Sequence, residues 1–243
     1  MRIAFAGKGG GGKSFIAATL ARSIARSGRP VLALDLDRMP GLALSLGVDA
    51  GPDGLPEELA VELPGAGWVM REDVPARQLV DRYATDAPDG VHLLTLGKAP
   101  GPWRAGSAAV FRYVVRTFDE PSWSVVGDLP AGVRQPAFGW AGFASIVAIV
   151  VEPTTKSELT ARRVAKLVAD SPARVGVVVS KHREGDDAAA MARSLGLPLF
   201  GVVPYDDDVR RAEADGRAPI DAVPDAAAIK AVERLLGSLE GEG

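Results

Sequence analysis

Short runs of consecutive apolar residues recur along the chain, and segments with helical periodicity separate them. Uninterrupted apolar runs are typical of strands buried on both faces, because a strand with one face in water alternates apolar and polar residues instead. We therefore predict seven strands, at residues 3–6, 31–34, 91–96, 123–126, 146–151, 175–179 and 199–203. The pattern indicates a sheet that contacts protein on both sides.

Helical patterns fill the intervals between these runs. Ile16, Leu20 and Ile24 recur every fourth residue on one helical face, and Gly28 follows where a helix commonly ends. Residues 157–170 repeat the pattern. Strands that alternate with helices favour parallel pairing through right-handed crossovers. The sequence thus predicts an α/β fold with a mainly parallel, twisted sheet and helices on both faces.

One segment interrupts this alternation, at about residues 50–90. Five prolines fall within it, and the best helical pattern there covers residues 77–83. We expect an irregular insertion with one or two short helices, since proline removes a backbone donor and interrupts regular structure. At the other end, residues 237–243 are expected to fray. The whole chain, residues 1–243, is predicted to form a single domain.

Composition narrows the possible chemistry. The 243 residues are 47% hydrophobic and 24% charged, as in an ordinary globular protein, and the formal net charge of −3 argues against a nucleic-acid partner. The chain has no cysteine and two histidines, which excludes disulfides, thiolate-held iron–sulfur clusters and cysteine zinc sites. No apolar run is long enough to cross a bilayer and no secretory signal is evident, so we expect a cytoplasmic location.

Residues 7–14 read Gly-Lys-Gly-Gly-Gly-Gly-Lys-Ser, a phosphate-binding pattern placed between the first strand and the first helix. Glycines let backbone N–H groups approach phosphate oxygens, and the helix N-terminus adds partial positive charge. Lys13 can bring a full positive charge to the phosphates of a nucleotide, and the Ser14 hydroxyl can join a Mg²⁺ shell. The predicted nucleotide contacts here are Gly7, Lys8, Gly9, Gly10, Gly11, Gly12, Lys13, Ser14 and Phe15.

Lys8 is unusual, because an ordinary phosphate loop needs no lysine at its second position. Together with Lys13 and Ser14 it resembles the deviant Walker A motif of the ParA/MinD family of ATPases. In that family the equivalent lysine crosses a dimer interface to the partner's nucleotide. The resemblance implies a P-loop NTPase that binds ATP with Mg²⁺, hydrolyses it slowly and forms an ATP-dependent homodimer. It also implies catalytic roles for Lys8 and Lys13.

Two aspartates follow the second predicted strand, at the edge where ligands of parallel sheets gather. Asp35 and Asp37 are two residues apart and so point to the same side of the strand. The family has Asp-x-Asp-Pro here, whereas Arg38 and Met39 separate Asp37 from Pro40. The resemblance implies that Asp37 is catalytic and orients the attacking water, and that Asp35 holds Mg²⁺ through water.

A third aspartate follows the fourth predicted strand. Asp128 and Gly132 have the spacing of the Walker B strand and second switch of the same family. The resemblance implies that Asp128 holds Mg²⁺ through water and that Gly132 pivots with the γ-phosphate. The implied metal-binding set is Ser14, Asp35, Asp37 and Asp128.

Two later loops carry the expected contacts to the base. The family usually has an asparagine where Ser180 and Lys181 stand here, and the Ser180 hydroxyl can still bond a base edge. Pro204, Tyr205 and Asp206 resemble the loop that lines adenine in the family. Adenine rather than guanine is implied by the resemblance alone. The acidic run that begins at Asp206 is expected to cap a helix rather than bind a metal.

Further fragments resemble the CooC-type ATPases, which serve nickel insertion into carbon monoxide dehydrogenase and related enzymes. They are residues 6–10, 92–98, 151–153 and 201–205. CooC-type proteins use a Cys-x-Cys pair to hold a metal ion between subunits, and residues 102–109 here contain no such pair. The resemblance implies an accessory or maturation ATPase that acts on a client protein, such as a metalloenzyme, without a thiolate site.

Two other functions remain open. A spatial-positioning ATPase of the ParA or MinD kind would bind DNA through basic residues on the dimer surface, or a membrane through a basic amphipathic tail. Residues 229–240 are amphipathic but end acidic, which favours a helix packed on the domain. A metabolic ligase or amidotransferase subunit would need a second substrate motif, and none is evident.

Overall fold

The computed structural model of the protein describes residues 1–37, 41–48, 54–97, 104–132 and 139–241. Strands in this part of the chain are β1 (Arg2–Gly7), β2 (Val31–Asp35), β3 (Ala60–Leu63), β4 (Gly67–Met70), β5 (Thr85–Ala87), β6 (Val91–Thr95), β7 (Ser124–Asp128), β8 (Ile146–Val151), β9 (Arg174–His182) and β10 (Leu199–Pro204). Helices are α1 (Lys13–Arg26), α2 (Gly41–Leu46), α3 (Ala76–Tyr83), α4 (Ala105–Thr117), α5 (Thr155–Leu167), α6 (Ala188–Leu195), α7 (Asp207–Ala214), α8 (Pro219–Ala222) and α9 (Ala227–Gly241).

The main sheet of the described residues has eight strands, in the order β10-β9-β8-β1-β7-β2-β6-β5. Neighbouring strands pair in parallel except at one edge, where β5 runs antiparallel to β6. Each predicted strand coincides with one of the parallel strands to within three residues at its ends. The predicted α/β fold class is confirmed.

The two faces of the sheet enter separate apolar layers. On β1, Ile3 and Phe5 pack in the layer that holds α1 and α9, whereas Ala4 and Ala6 pack in the layer that holds α4 and α5. Because both faces are buried, consecutive positions are all apolar, which explains the uninterrupted runs. The stripe predicted on α1 lies in the first of these layers and is fully buried.

Residues 54–90 contain more regular structure than an irregular insertion. The helix predicted at residues 77–83 is confirmed as α3, whose Leu79 and Val80 are buried. The prediction missed the antiparallel hairpin formed by β3 and β4, and it missed the edge strand β5. The hairpin packs on α4, more than 30 residues further along the chain. Because this distant contact stabilises it, the local sequence of the hairpin shows little strand pattern.

The C-terminal helix also extends further than the sequence predicts. Residues 237–243 are predicted to fray, but α9 continues to Gly241 and residues 242–243 lie outside the described part. The last turns are held because Leu239 is buried and the Ser238 hydroxyl donates to the Arg234 carbonyl at 3.2 Å. Among the described residues, no helix has both the length and the apolar character that a membrane span requires.

The position of β1 decides where the chemistry gathers. It lies between β7 and β8, with Phe5 opposite Asp128 on one side and Gly7 opposite Val150 on the other. Parallel strands bring their carboxyl ends to one edge of the sheet, and ligands of such sheets bind where strand order reverses. The loop after β1 therefore emerges between Asp128 and the residues that follow β8.

Candidate nucleotide-binding site

The loop between β1 and α1 adopts, at three positions, backbone angles that favour glycine. Gly7, Gly10 and Gly12 have φ angles of 148°, 76° and 86°. Space also excludes a side chain at Gly7, since a Cβ there would lie 2.3 Å from the Val150 carbonyl oxygen. The loop thus runs against β8 and passes into α1 at Lys13. The first turn of α1 leaves N–H groups available to an anion.

The first two residues of α1 carry the polar groups of the loop. Lys13 is 7% exposed, and its Nζ donates to the Lys8 carbonyl oxygen at 3.4 Å. The Ser14 hydroxyl donates to Oδ2 of Asp128 at 2.5 Å. A Cβ at Gly41 would lie 2.8 Å from the Ser14 hydroxyl, so α2 begins directly against it. An ammonium, a hydroxyl and a carboxylate therefore converge at this end of the sheet.

Two buried carboxylates end neighbouring strands in register. Asp35 on β2 pairs with Asp128 on β7, and Asp35 accepts the backbone N–H groups of Asp37 and Leu42, each at 3.2 Å. Burial raises the pKa of Asp35 well above its ordinary value, and the charge of Asp128 raises it further. Burial likewise raises the pKa of Asp128 to about 6, against the lowering effect of Lys13.

These groups fit a magnesium ion. Oδ1 of Asp128 is buried and has no hydrogen-bond partner among the described residues, which is costly unless a cation or donor satisfies it. With the Ser14 hydroxyl and Asp35 it forms an all-oxygen donor set of the kind that Mg²⁺ prefers, which water and phosphate complete. Among the described residues, no group of three or more acidic or histidine side chains is arranged to hold a metal ion, so the nucleotide itself would have to supply ligands.

The segments after β2 and β7 lead back to the loop. Asp37 is near enough for its charge to raise the pKa of both Asp35 and Asp128. Gly132, with a φ of 98°, donates its N–H to the Gly7 carbonyl oxygen at 3.1 Å. The structure therefore places Asp37 beside the two buried aspartates and Gly132 against the loop. The displaced proline after Asp37 falls in residues 38–40, outside the described residues.

The end of β9 holds the loop through two consecutive side chains. The Ser180 hydroxyl donates to the Gly11 carbonyl at 2.7 Å, and Nζ of Lys181 donates to the Gly10 carbonyl. Lys181 has a φ of 53°, which is uncommon for a residue with a Cβ. Both residues are predicted base contacts. Because the hydroxyl hydrogen of Ser180 is used on the loop, Ser180 can meet a base only as an acceptor.

Glu152 also belongs to this site, although no sequence motif predicts it there. It lies just beyond β8, and its carboxylate is 3.5 Å from Nζ of Lys8 and 2.8 Å from Nζ of Lys181. Its side chain is only 13% exposed. No sequence spacing signals this cluster, because the adjacency of three strands creates it.

Two adjoining clefts open beside the loop. One, of about 290 Å³, is lined by the phosphate loop, α2 and the segment that follows α7. The other, of about 120 Å³, is lined by residues that include Pro204, Tyr205 and Asp206. Phe15 and Lys181 border both. The residues predicted to contact the phosphates and those predicted to contact the base thus line neighbouring clefts. Lys8 lines neither of these two clefts.

Two details of the clefts concern residues outside the phosphate loop. Oδ1 of Asp206 accepts the N–H groups of Asp208 and Val209, so this carboxylate caps α7 as the acidic run predicts, and its contact with the base stays a prediction. Glu213 and Arg217 also line the clefts. The sequence gives no signal for these two, because they are distant in the chain and belong to no phosphate motif.

The sequence profile of the CobQ/CobB/MinD/ParA nucleotide binding domain matches residues 3–220. The chain belongs to this family. The matched residues run from β1 into α8 and include both clefts, apart from one residue of α9 that borders the smaller one. The resemblance to ParA/MinD proteins based on Lys8, Lys13 and Ser14 is therefore confirmed.

Two relatives, from different organisms, align with nearly the whole of this chain. An uncharacterized ATP-binding protein of Methanocaldococcus jannaschii is 32% identical over 253 residues, which cover 97% of this chain and 96% of that protein. The carbon monoxide dehydrogenase accessory protein CooC of Rhodospirillum rubrum is 28% identical over 260 residues, which cover 92% of this chain and 91% of CooC. The similarity to CooC extends well beyond the phosphate loop.

Solved structures of other proteins have the same fold as this chain. The septum site-determining protein MinD of Pyrococcus horikoshii, complexed with Mg-ADP, superposes with a TM-score of 0.76 at 21% identity and covers 98% of this chain and 95% of its own. A ParA family ATPase of Chlorobium tepidum gives 0.77 at 18% identity and covers 98% of both chains. Identities this low establish a common fold alone.

Proposed function

We propose that this domain binds ATP with Mg²⁺ and hydrolyses it slowly, as a switch in which two copies enclose the nucleotide. The observation that carries the proposal is the Ser14–Asp128 contact, which joins the phosphate loop to the end of β7. Beside it lies the Asp128 oxygen that has no partner among the described residues. A hydroxyl and a carboxylate next to a buried lysine are the groups that a Mg²⁺-bound triphosphate requires.

Lys13 and the loop amides would hold the phosphates. In the present arrangement Nζ of Lys13 donates to a neutral carbonyl at 3.4 Å, which is a long hydrogen bond. A phosphate oxygen would offer a shorter, charge-assisted bond to the same ammonium. Replacing the Lys8 carbonyl by a phosphate oxygen as the acceptor for Lys13 would therefore favour phosphate binding in the larger cleft.

Ser14 and Asp128 would hold Mg²⁺, with Asp35 one water molecule further away. Bound there, Mg²⁺ would neutralise charge on the phosphates as the γ-phosphate leaves. Asp128 must be ionised for this role, and a pKa of about 6 leaves it mostly ionised above neutral pH. Asp37 lies beyond this pair and is partly exposed, so it can orient the attacking water.

The smaller cleft would take the adenine base. Phe15 and Tyr205 offer aromatic surface there, and the Arg183 guanidinium lies 3.7 Å from the Tyr205 ring centroid, which fixes one face of that ring. The choice of adenine is supported by the relatives named as ATP-binding proteins.

Lys8 would act in a dimer. Its side chain is 37% exposed and lines neither described cleft of its own subunit. An ammonium at this place can reach a nucleotide held by a second copy, where it would stabilise charge that develops during hydrolysis. ATP therefore acts as the bridge between the copies.

The biological role we propose is that of a CooC-like accessory ATPase for a client protein, with a metalloenzyme as the first candidate. The similarity to CooC over 92% of the chain supports it. The chain has no cysteine, so it would act on its client through a conformational change and not by delivering a thiolate-bound metal. The apolar face of α9, which includes Val232 and Leu235, is buried in the described structure, so this helix does not offer that face to a membrane.

The dimer is tested by light scattering with no nucleotide, with Mg-ADP and with Mg-ATP. We expect the mass to double with Mg-ATP, and Lys8→Ala to abolish the doubling and reduce ATP turnover at least about tenfold. Lys166→Ala is the matched control, because this exposed lysine lies at the far end of α5. A wild-type mass that is the same under all three conditions would refute the sandwich.

The client is tested by affinity capture with a variant blocked in hydrolysis, Asp37→Ala, loaded with ATP. We expect a metalloenzyme or one of its assembly factors to be retained with ATP and released with ADP. Retention of DNA instead, weakening steeply with added salt, would favour the spatial-positioning alternative.

A further inference from the structure

Glu152 occupies a place between two lysines that the proposed reaction does not use. Its Oε2 lies 3.5 Å from Nζ of Lys8, and its Oε1 lies 2.8 Å from Nζ of Lys181. Lys181 also donates to the Gly10 carbonyl. One carboxylate thus joins the second residue of the phosphate loop to the end of β9.

The backbone from which this carboxylate extends is fixed by the start of α5. The Glu152 N–H donates to the Ser157 hydroxyl at 2.9 Å, and Ser157 is buried in the first turn of α5. Thr154 caps the same helix, because its hydroxyl accepts the Ser157 N–H at 3.3 Å. Glu152 is therefore held by a helix start and a strand end, and not by a mobile loop.

The two ion pairs differ in how easily they can be exchanged. The contact with Lys8 is the longer one, at 3.5 Å against 2.8 Å, and it is made to the single carboxylate oxygen that does not face Lys181. If Lys8 leaves, Lys181 still compensates the largely buried charge of Glu152, so no isolated carboxylate results. The cluster can release Lys8 without the large penalty that breaking a lone buried pair would carry.

We propose that Glu152 is a positioning residue that holds the Lys8 ammonium in its own subunit and competes for it with the nucleotide of the partner. The inference rests on the proposed ATP sandwich, because it names what Lys8 must leave in order to cross. Lys181 serves as the counter-charge that remains on Glu152 after the exchange.

The competition has a measurable size. Each dimer requires two Lys8–Glu152 contacts to be broken, one per subunit. Neutralising Glu152 removes both contacts and should lower the dimer dissociation constant about fivefold, which corresponds to about 1 kcal/mol. The ammonium should also become more accessible in the monomer.

The first experiment measures the dimer dissociation constant by analytical ultracentrifugation, with Mg²⁺ and a non-hydrolysable ATP analogue. We expect Glu152→Gln to form dimers about fivefold more tightly than wild type. Glu158→Gln is the matched control, since Glu158 makes a comparable ion pair with Arg162 at 2.7 Å on α5. An unchanged or weaker dimer in Glu152→Gln, while wild type dimerises, overturns the inference and leaves the proposed function standing.

The second experiment needs no dimer and no nucleotide. Acylation of individual lysines by a water-soluble amine reagent is followed by mass spectrometry in the monomer. Lys8 should react several-fold faster in Glu152→Gln than in wild type, while Lys166 reacts at the same rate in both. Equal rates for Lys8 would show that Glu152 does not hold it.

Glu152→Asp guards against a folding defect, because it keeps the charge but shortens the reach by one methylene. It should shift both measurements in the same direction as Glu152→Gln, with an unchanged circular dichroism spectrum. If the wild-type protein fails to dimerise with ATP, the proposed function and the competition fall together, and the acylation rates still decide whether Lys8 is held.

Discussion

A carboxylate in an energetically unfavourable place stands out at the scale of single residues. Asp128 is 2% exposed, and one of its oxygens is without a partner in the described structure. An ionised group in such a position lowers the stability of the fold by itself. Perturbed carboxylates of this kind are typical of functional sites, because a ligand offsets their cost when it binds.

The dependence of stability on pH follows from that carboxylate. The pKa of Asp128 is about 6 in the fold, against about 3.9 in an unfolded chain. Protonated Asp128 makes its full contribution to stability when the pH is below the pKa of the unfolded chain. That contribution is lost as the pH rises through the pKa of the folded protein. Without nucleotide or Mg²⁺, Asp128→Asn should therefore exceed wild type at pH 8 by about 3 kcal/mol in unfolding free energy.

Urea denaturation at pH 4.5 and pH 8 measures this difference, which should shrink at the lower pH. Asp119→Asn provides the control, because that carboxylate is 89% exposed and its loss should change stability by less than about 0.5 kcal/mol at either pH. Equal stability of wild type and Asp128→Asn at pH 8 would show that burial does not perturb Asp128.

At the scale of elements, the parallel strands were predictable because each is a continuous apolar run and each is short. The phosphate loop was predictable for a related reason, since residues 7–14 are contiguous and follow such a run directly. A strand or loop whose defining residues are contiguous can be predicted from the sequence without knowledge of the fold.

The β3–β4 hairpin and the Glu152 cluster depend on contacts between distant segments. A Cβ at Gly106 of α4 would lie 2.5 Å from Glu57 and 2.8 Å from Trp68, so a close approach to α4 holds the hairpin. Glu152 meets Lys8 only because β8 pairs with β1. Neither contact has a signature in local sequence, which is why sequence reasoning described one segment as irregular and passed over the other.

A buried arginine joins three elements and provides a test at this scale. Arg22 of α1 is 2% exposed and donates to Asp89 before β6 at 2.7 Å and to Asp221 of α8 at 2.9 Å. Arg22→Met should lower the unfolding free energy by about 2–4 kcal/mol, because Asp221 loses a buried bidentate partner and Asp89 loses a buried single one.

Arg26 is a natural control for this test. It contacts the same two aspartates, but its side chain is 41% exposed, so Arg26→Met should cost less than about 1 kcal/mol. Urea denaturation near neutral pH compares the two variants. Similar losses would contradict the assignment of the buried pair as the main connection between α1, α8 and the segment before β6.

At the scale of the whole molecule, binding should appear as stability. A ligand at 100 times its dissociation constant adds about 2.7 kcal/mol to the folded state, which corresponds to a rise in Tm of roughly 5–10 °C for a domain of this size. We expect Mg-ATP to produce such a rise, ATP with a chelator to produce a smaller one, and GTP to produce the least.

Ser14→Ala separates the metal from the phosphates in that measurement. The variant keeps Lys13 and the loop amides but removes the hydroxyl that contacts Asp128. Scanning calorimetry should show that ATP still stabilises it, while the additional effect of Mg²⁺ disappears. An undiminished Mg²⁺ effect would place the ion elsewhere.

Helix α9 has a consequence for how the protein is made. Its Ile229, Val232 and Leu235 belong to the same apolar layer as α1, the helix that carries Lys13 and Ser14. A nascent chain that has left the ribosome only as far as residue 226 has the entire phosphate loop but lacks part of the cover over the helix behind it. We therefore expect the nucleotide site to become stable only once α9 has emerged and covered α1.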